Sequence, residues 1–138
     1  GKKDLPFRTI AISKIVNKTF EPKLEDRMQT ALVNELMVQG FEIESSSGYK
    51  INGAITQFEL GTLSEKSGVA TEYEVTIKGD FKLTDPSGKI KQLRNHGVFI
   101  VSFSSSEQLQ TVMALKEQAT VTALQDFASE IVASIMYQ

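Results

Sequence analysis

The sequence predicts an α+β fold in which two helices pack on one face of a four-stranded mixed or antiparallel sheet with a long hairpin. Three observations lead to this prediction. Strand and helix patterns follow in the order strand, helix, three strands, helix. Residues 73–84 alternate apolar and polar side chains, as a strand with one dry face does. Two segments, 22–39 and 104–138, carry apolar stripes at helical spacing.

Length and composition indicate a single domain that spans residues 1–138. Domains cluster near ~100–150 residues, and 41% hydrophobic with 23% charged residues is typical of a globular chain. The absence of cysteine excludes disulfides, thiolate metal sites and a cysteine nucleophile, and one histidine, His96, excludes a site with two imidazoles. The net charge of −2 argues against nucleic-acid binding.

The first strand is predicted at residues 7–16, which are rich in β-branched side chains. The first helix is predicted from Pro22, which suits a first helical position, to about Gln39, with Gly40 as its end. Its apolar stripe consists of Leu24, Met28, Leu32 and Leu36. A short strand at residues 41–44 follows.

The next strand begins at Tyr49 and alternates cleanly as far as Ile55. Phe58 and Leu60 then lie one step out of phase, and such a slip predicts a β-bulge or the end of pairing. Residues 61–68 are polar and are predicted to form a loop.

The long hairpin is predicted from residues 73–84 and a return strand at 89–103. The turn between them is Asp85-Pro86-Ser87-Gly88, in which proline presets one dihedral angle and glycine supplies a positive φ. An arm of about 16 residues spans roughly 50 Å, so we expect an elongated molecule.

The last helix is predicted after residue 103, with a capping box of Ser104 and Glu107 or of Ser105 and Gln108. Two adjacent apolar rows give it a wide stripe that covers the sheet. The predicted core between sheet and helices includes Val75, Ile77, Phe81, Phe127 and Ile131.

The sequence contains no motif for catalysis or cofactor binding. A phosphate-binding glycine loop and a nucleophile elbow are both absent, and His96 has no partnered nucleophile nearby in sequence. Pairs of glutamates at alternate strand positions are typical of a solvated face. We therefore expect neither an enzyme nor a cofactor or metal.

Charge is unevenly distributed along the chain. Residues 78–96 hold five basic side chains against two aspartates, a local net charge of +3, whereas residues 51–77 and 97–138 each sum to −3. The basic end of the predicted hairpin fits an anion site, because phosphates attract clustered cations. From the residues alone, the favoured interpretation is instead edge-strand lysines that prevent association between sheets.

Several motifs, taken in order, resemble those of the lipopolysaccharide-assembly lipoproteins, the LptE family. The resemblance runs from about Leu5 to Tyr137. Its first part is a strand, a turn and a helix start, represented by Arg8-Thr9-Ile10-Ala11-Ile12, Asn17-Lys18-Thr19, Glu21-Pro22, Leu24-Glu25, Ala31-Leu32 and Glu35-Leu36. Its second part covers the later strands and their turn, represented by Ile51-Asn52-Gly53-Ala54-Ile55, Thr71-Glu72-Tyr73-Glu74-Val75-Thr76 and Asp85-Pro86-Ser87-Gly88-Lys89.

The resemblance implies a non-enzymatic protein at the periplasmic face of the outer membrane. It implies two partners, the β-barrel that inserts lipopolysaccharide, which the protein plugs and helps assemble, and lipopolysaccharide itself. It also implies a lipid anchor on an N-terminal cysteine that this chain lacks, and we expect that a targeting segment preceded the Gly-Lys-Lys-Asp start. Under this resemblance the basic end becomes a lipopolysaccharide-binding site, formed by Lys89, Lys91 and Arg94 with Lys82.

Two other functions stay open from the sequence alone. A periplasmic lipoprotein could use the same fold as a protein-interaction scaffold unrelated to lipopolysaccharide. An enzyme with a dispersed carboxylate site is the third alternative.

The longest strongly apolar run has four residues, Val98-Phe99-Ile100-Val101, far short of the ~20 that span a bilayer.

Overall fold

The computed structural model describes residues 4–93, 98–105 and 108–137, and it confirms the predicted α+β class. The elements in chain order are β1 (Thr9–Asn17), α1 (Leu24–Gln39), β2 (Glu42–Ile43), β3 (Lys50–Lys66), β4 (Val69–Thr84), β5 (Ile90–Gln92), β6 (Phe99–Ser104) and α2 (Leu109–Met136). Both helices bury their apolar stripes against one face of the sheet.

The sheet is mixed and has six strands in the order β2-β1-β3-β4-β5, with β6 pairing with β4. β1 is parallel to β2 and β3, and the remaining pairs are antiparallel. Four strands were predicted. The number rises because the short strand predicted at residues 41–44 joins the edge of this same sheet as β2 and because the return strand divides into β5 and β6.

The longest hairpin is β3–β4, which corrects the prediction of a loop at residues 61–68. Lys66 lies opposite Val69, and the two residues between them, Ser67 and Gly68, have φ angles of 55° and 77°. This conformation is the one that a tight two-residue hairpin needs. Most side chains near this tip are exposed on both faces, so the apolar alternation that marks a half-buried strand does not arise there.

The predicted return strand pairs with β4 in two separate registers. In β5, Gln92 lies opposite Lys82, and in β6, Phe99 lies opposite Ile77. The N–H of Leu93 donates to the carbonyl of Phe81 over 3.0 Å, which extends the first register by one residue. Both parts are antiparallel to β4, so the pairing of this segment is as predicted but its continuity is not.

A bulge in β3 confirms the interpretation of the phase slip. The register shifts between Ile55 and Gln57, which leaves Thr56 as the extra residue. The bulge turns Phe58 back toward the helices, where its ring packs against the core.

The helix ends differ from the predictions at two of three positions. Gly40 ends α1 with φ 103°, as predicted. α1 begins at Leu24 rather than Pro22, because Lys23 adopts a left-handed conformation as the N-cap. α2 has Gln108 as its N-cap, so neither predicted capping box forms: Ser104 ends β6, and the Ser105 N–H donates to the Thr71 carbonyl. Glu107 lies outside the described residues.

The five predicted core residues are all fully buried. Phe127 of α2 is at the centre of this core, edge-to-face with Phe81 at 5.2 Å between ring centroids and stacked on Phe99 at 4.5 Å. Two glycines make this approach possible. A Cβ on Gly79 would lie 2.6 Å from the Ala54 carbonyl oxygen and 2.9 Å from Cε2 of Phe127, and one on Gly53 would overlap the Phe81 ring.

The molecular surface agrees with the expected elongated shape. The accessible area is 8194 Å², whereas a compact protein of this mass exposes roughly 7,100 Å². β4 alone, with 16 residues, spans about 50 Å at ~3.3 Å per residue.

We predict that Phe127→Ala lowers the free energy of unfolding by about 3–5 kcal/mol, because the surrounding rings cannot close the cavity. Denaturant melts followed by circular dichroism would measure this loss. A loss below about 1 kcal/mol would contradict the assignment of Phe127 to the centre of the core.

We also predict that Gly79→Ala destabilises the protein by about 1–3 kcal/mol through overpacking. Gly61→Ala is the matched control within the same hairpin, since a Cβ there would lie 3.8 Å from Cγ of Glu74, an ordinary contact. Equal melting temperatures for the two variants would show that the sheet adjusts to the added methyl group.

Candidate functional site

Of the four predicted lipopolysaccharide contacts, the three that the structure describes, Lys82, Lys89 and Lys91, do not form one cluster. Lys82 lies on the face of the sheet away from the helices, which we call the open face. Lys91 lies directly opposite Leu83, and Leu83 is buried against the helices. Because directly opposed residues share a face, Lys91 is on the helix face.

Lys91 has a role in the fold. Its Nζ donates to the main-chain carbonyl of Ser134, 3.3 Å away, in the last turn of α2. A cation is favourable at this position because carbonyls at a helix C-terminus lack helical partners and carry the negative end of the macrodipole. Partial burial of the ammonium group lowers the pKa of Lys91.

Lys89 is exposed in the turn between β4 and β5, and Asp85 organises this turn. One carboxylate oxygen of Asp85 accepts the hydroxyl of Ser87 at 2.6 Å and the N–H groups of Ser87 and Lys89 at 2.9 and 3.0 Å. The hydrogen bond from the Ser87 hydroxyl is the main reason why the pKa of Asp85 is lowered. Arg94 and His96 lie outside the described residues, so the structure does not locate them relative to Lys89.

The structure instead groups Lys82 with two lysines that the charge pattern did not single out. Lys14, Lys18 and Lys82 line a shallow depression of about 320 Å³ on the open face. Its polar lining also includes Asn52, Thr56, Asp80 and Gln92. Three cations therefore share the depression with one carboxylate, which favours an anionic ligand.

Strand register aligns these side chains in a row across the sheet. Lys14 pairs with Asn52, Asn52 with Lys82, and Lys82 with Gln92. We call these four residues the basic row. Strands lie ~4.8 Å apart, so the backbones at Lys14 and Lys82 are separated by about 10 Å, with the Asn52 amide between them.

Two features of β1 and β3 give the basic row its position and depth. The register shift between Ile12 and Lys14 places Lys14 on the open face while Ile15 packs against the core. The neighbouring row contains Ala54, whose small side chain leaves room for the depression. The parallel pairing of β1 with β3 joins segments about 40 residues apart. No local sequence pattern therefore predicts that Lys14 lies near Lys82.

Two further observations concern membranes and metals. Over the residues described, neither helix combines the length and the hydropathy that a bilayer crossing requires. Within the same ranges, no three His, Cys, Asp or Glu side chains lie together as a metal site needs.

The fold is similar to those of solved bacterial lipoproteins. Rare lipoprotein B from Shewanella oneidensis aligns with a TM-score of 0.66 and 13% identity over 93% of each chain. A minor lipoprotein from Acinetobacter baumannii aligns with a TM-score of 0.61 and 12% identity over 96% of this chain and 92% of that one. PelC from Paraburkholderia phytofirmans, a dodecamer, aligns with a TM-score of 0.58 and 14% identity over 93% and 88%. At these identities the similarity concerns the fold.

A comparison with curated proteins found no significant match. The sequence profile of the LptE family, described as lipopolysaccharide-assembly, matches residues 7–138. That range contains both helices and all the strands described above. The chain therefore belongs to the lipopolysaccharide-assembly family, LptE.

Proposed function

We propose that this protein is a non-enzymatic lipoprotein at the periplasmic face of the outer membrane, where it plugs and helps assemble the β-barrel that inserts lipopolysaccharide. We also propose that it binds lipopolysaccharide during transport to the cell surface. The observation that carries the proposal is the family match over residues 7–138. The names of two solved structures with this fold, both lipoproteins, support attachment through an N-terminal lipid.

The basic row supports the lipopolysaccharide part of the proposal. Lipid A and the core sugars carry several phosphate groups close together, and lysines bind phosphate as point charges. Lys14 and Lys82, with Lys18 beside them, offer separate cations for such groups. The open face leaves them accessible, because the helices cover only the other face.

The four residues predicted from the sequence remain in the proposed site, but their surroundings differ. Lys82 is in the basic row, and Lys89 is exposed near one end of β5. The ammonium group of Lys91 already donates one hydrogen bond to the Ser134 carbonyl, so only its other hydrogens are left for a ligand. Arg94 remains a proposed contact outside the described residues.

We predict that the protein, purified from its native membranes in mild detergent, recovers the lipopolysaccharide-insertion barrel. The readout is mass spectrometry of the bound material against a mock purification. Recovery of lipopolysaccharide-unrelated periplasmic proteins in place of the barrel would contradict the plug and favour the scaffold alternative.

We predict that Lys14→Glu combined with Lys82→Glu weakens lipopolysaccharide binding about tenfold or more, since each exposed contact is worth roughly 1 kcal/mol. The effect should shrink at high salt, where screening weakens exposed charges. The melting temperature should stay within about 2 °C, because both side chains are exposed.

The control is Lys2→Glu with Lys3→Glu, which changes the net charge equally. Lys91 is left unchanged because reversing it would place a carboxylate against the C-terminus of α2 and disturb stability. If both double variants weaken binding equally, the basic row is not a site and the change in net charge alone accounts for the loss.

A further inference from the structure

A fully exposed phenylalanine lies between β1 and α1. The exposure of Phe20 is 108% of the reference value, so no part of the described structure covers its ring. It belongs to residues 17–23, which we call the Phe20 loop. A single exposed apolar side chain is ordinary, but this one is held by an unusually well-bonded loop.

The polar side chains of the Phe20 loop bond to the loop itself. The Asn17 amide donates to the Glu21 carbonyl at 2.6 Å, and its oxygen accepts the Thr19 N–H at 2.9 Å and the Thr19 hydroxyl at 2.7 Å. The Thr19 hydroxyl oxygen in turn accepts the Glu21 N–H at 3.1 Å. These bonds fix the backbone on both sides of Phe20.

Two longer-range contacts attach the Phe20 loop to the rest of the fold. The Lys18 N–H donates to the Ile55 carbonyl of β3 at 2.9 Å. The Glu21 carboxylate pairs with Nζ of Lys116 in α2 at 3.0 Å, and that ammonium lies 5.4 Å from the centre of the Phe58 ring. The loop therefore has a fixed orientation relative to the sheet and to α2.

Such a loop lowers the entropic cost of binding through Phe20. Aromatic side chains held in place lose little freedom when a partner buries them, and rigid aromatic anchors dominate many interfaces. The ring is not buried in the isolated protein, so burial of this side chain does not stabilise the fold.

The charges around Phe20 define the complementary surface. Lys18 and Lys23, two residues before Phe20 and three residues after it, are both exposed. The carboxylate of Glu21 is neutralised by Lys116, so the exposed charge of the loop is positive. We propose that the Phe20 loop inserts into an apolar pocket bordered by carboxylates on a partner protein, and that this partner is the barrel named above, so the inference rests on the proposed function.

A protein pocket fits better than a lipid surface. A single fourteen-carbon chain gives only marginal membrane binding, and one phenyl ring buries less apolar surface than that. A protein pocket encloses the ring on several sides and can place carboxylates near Lys18 and Lys23.

The test compares Phe20→Ala with a matched aromatic control, Tyr137→Ala. Tyr137 is 71% exposed and follows α2, about 30 Å along the helix from Lys116 at ~1.5 Å per residue. Affinity for the purified barrel is measured in mild detergent. We expect Phe20→Ala to weaken it at least thirtyfold and Tyr137→Ala by less than twofold, with both melting temperatures unchanged. Lys18→Glu with Lys23→Glu should weaken it in a salt-dependent manner.

A photo-crosslinking residue at position 20, Phe20→p-benzoylphenylalanine, gives an independent readout in cells and should yield a barrel adduct. Wild-type protein that binds no barrel would overturn both the proposed function and this inference. Wild-type binding that Phe20→Ala leaves intact would overturn this inference alone. So would a Phe20-dependent association with phosphatidylglycerol vesicles or with a second copy, if barrel binding does not depend on Phe20.

Discussion

The close approach of α2 to the sheet depends on two glycines, Gly53 and Gly79, which leave room for the rings of Phe81 and Phe127. With the helices fixed on that face, the alternation of β4 assigns Ile77 and Phe81 to the core and Lys82 to the open face. The register with β3 and β1 then completes the basic row. Core packing and the proposed phosphate site are thus two results of a single side-chain alternation.

Sequence periodicity predicted the parts of the fold in which one face is buried. The β4 face, both helix stripes and the bulge at Thr56 all follow from where apolar side chains recur. The tip of the β3–β4 hairpin carries no such signal, because neither of its faces is buried. The proposed basic row differs from the site predicted from the sequence: charge counting found Lys82 but not Lys14, since their proximity is created by a non-local parallel pairing. Counting charges along the sequence also cannot distinguish Lys82 from Lys91, whose ammonium group donates to a main-chain carbonyl of α2.

The molecule has two chemically different ends along β1. At one end the chain enters the sheet beside β2, where Phe7 stacks on Tyr49 at 3.7 Å between ring centroids. At the other end the Phe20 loop is held by hydrogen bonds and by Lys116. β1, with nine residues, keeps these two ends about 30 Å apart.

The division of the return strand makes its two pairings with β4 independent of each other. β5 is held in register by the turn at Asp85 and by buried Leu93, whereas β6 is held by Phe99 and by Phe103 stacked on Tyr73. Each ladder is therefore aligned independently of the other. In a continuous strand, one inserted residue would move every following side chain to the wrong face. Here the two registers are fixed by different side chains, so a slip of β6 along β4 would leave the side chains of β5 on their own faces.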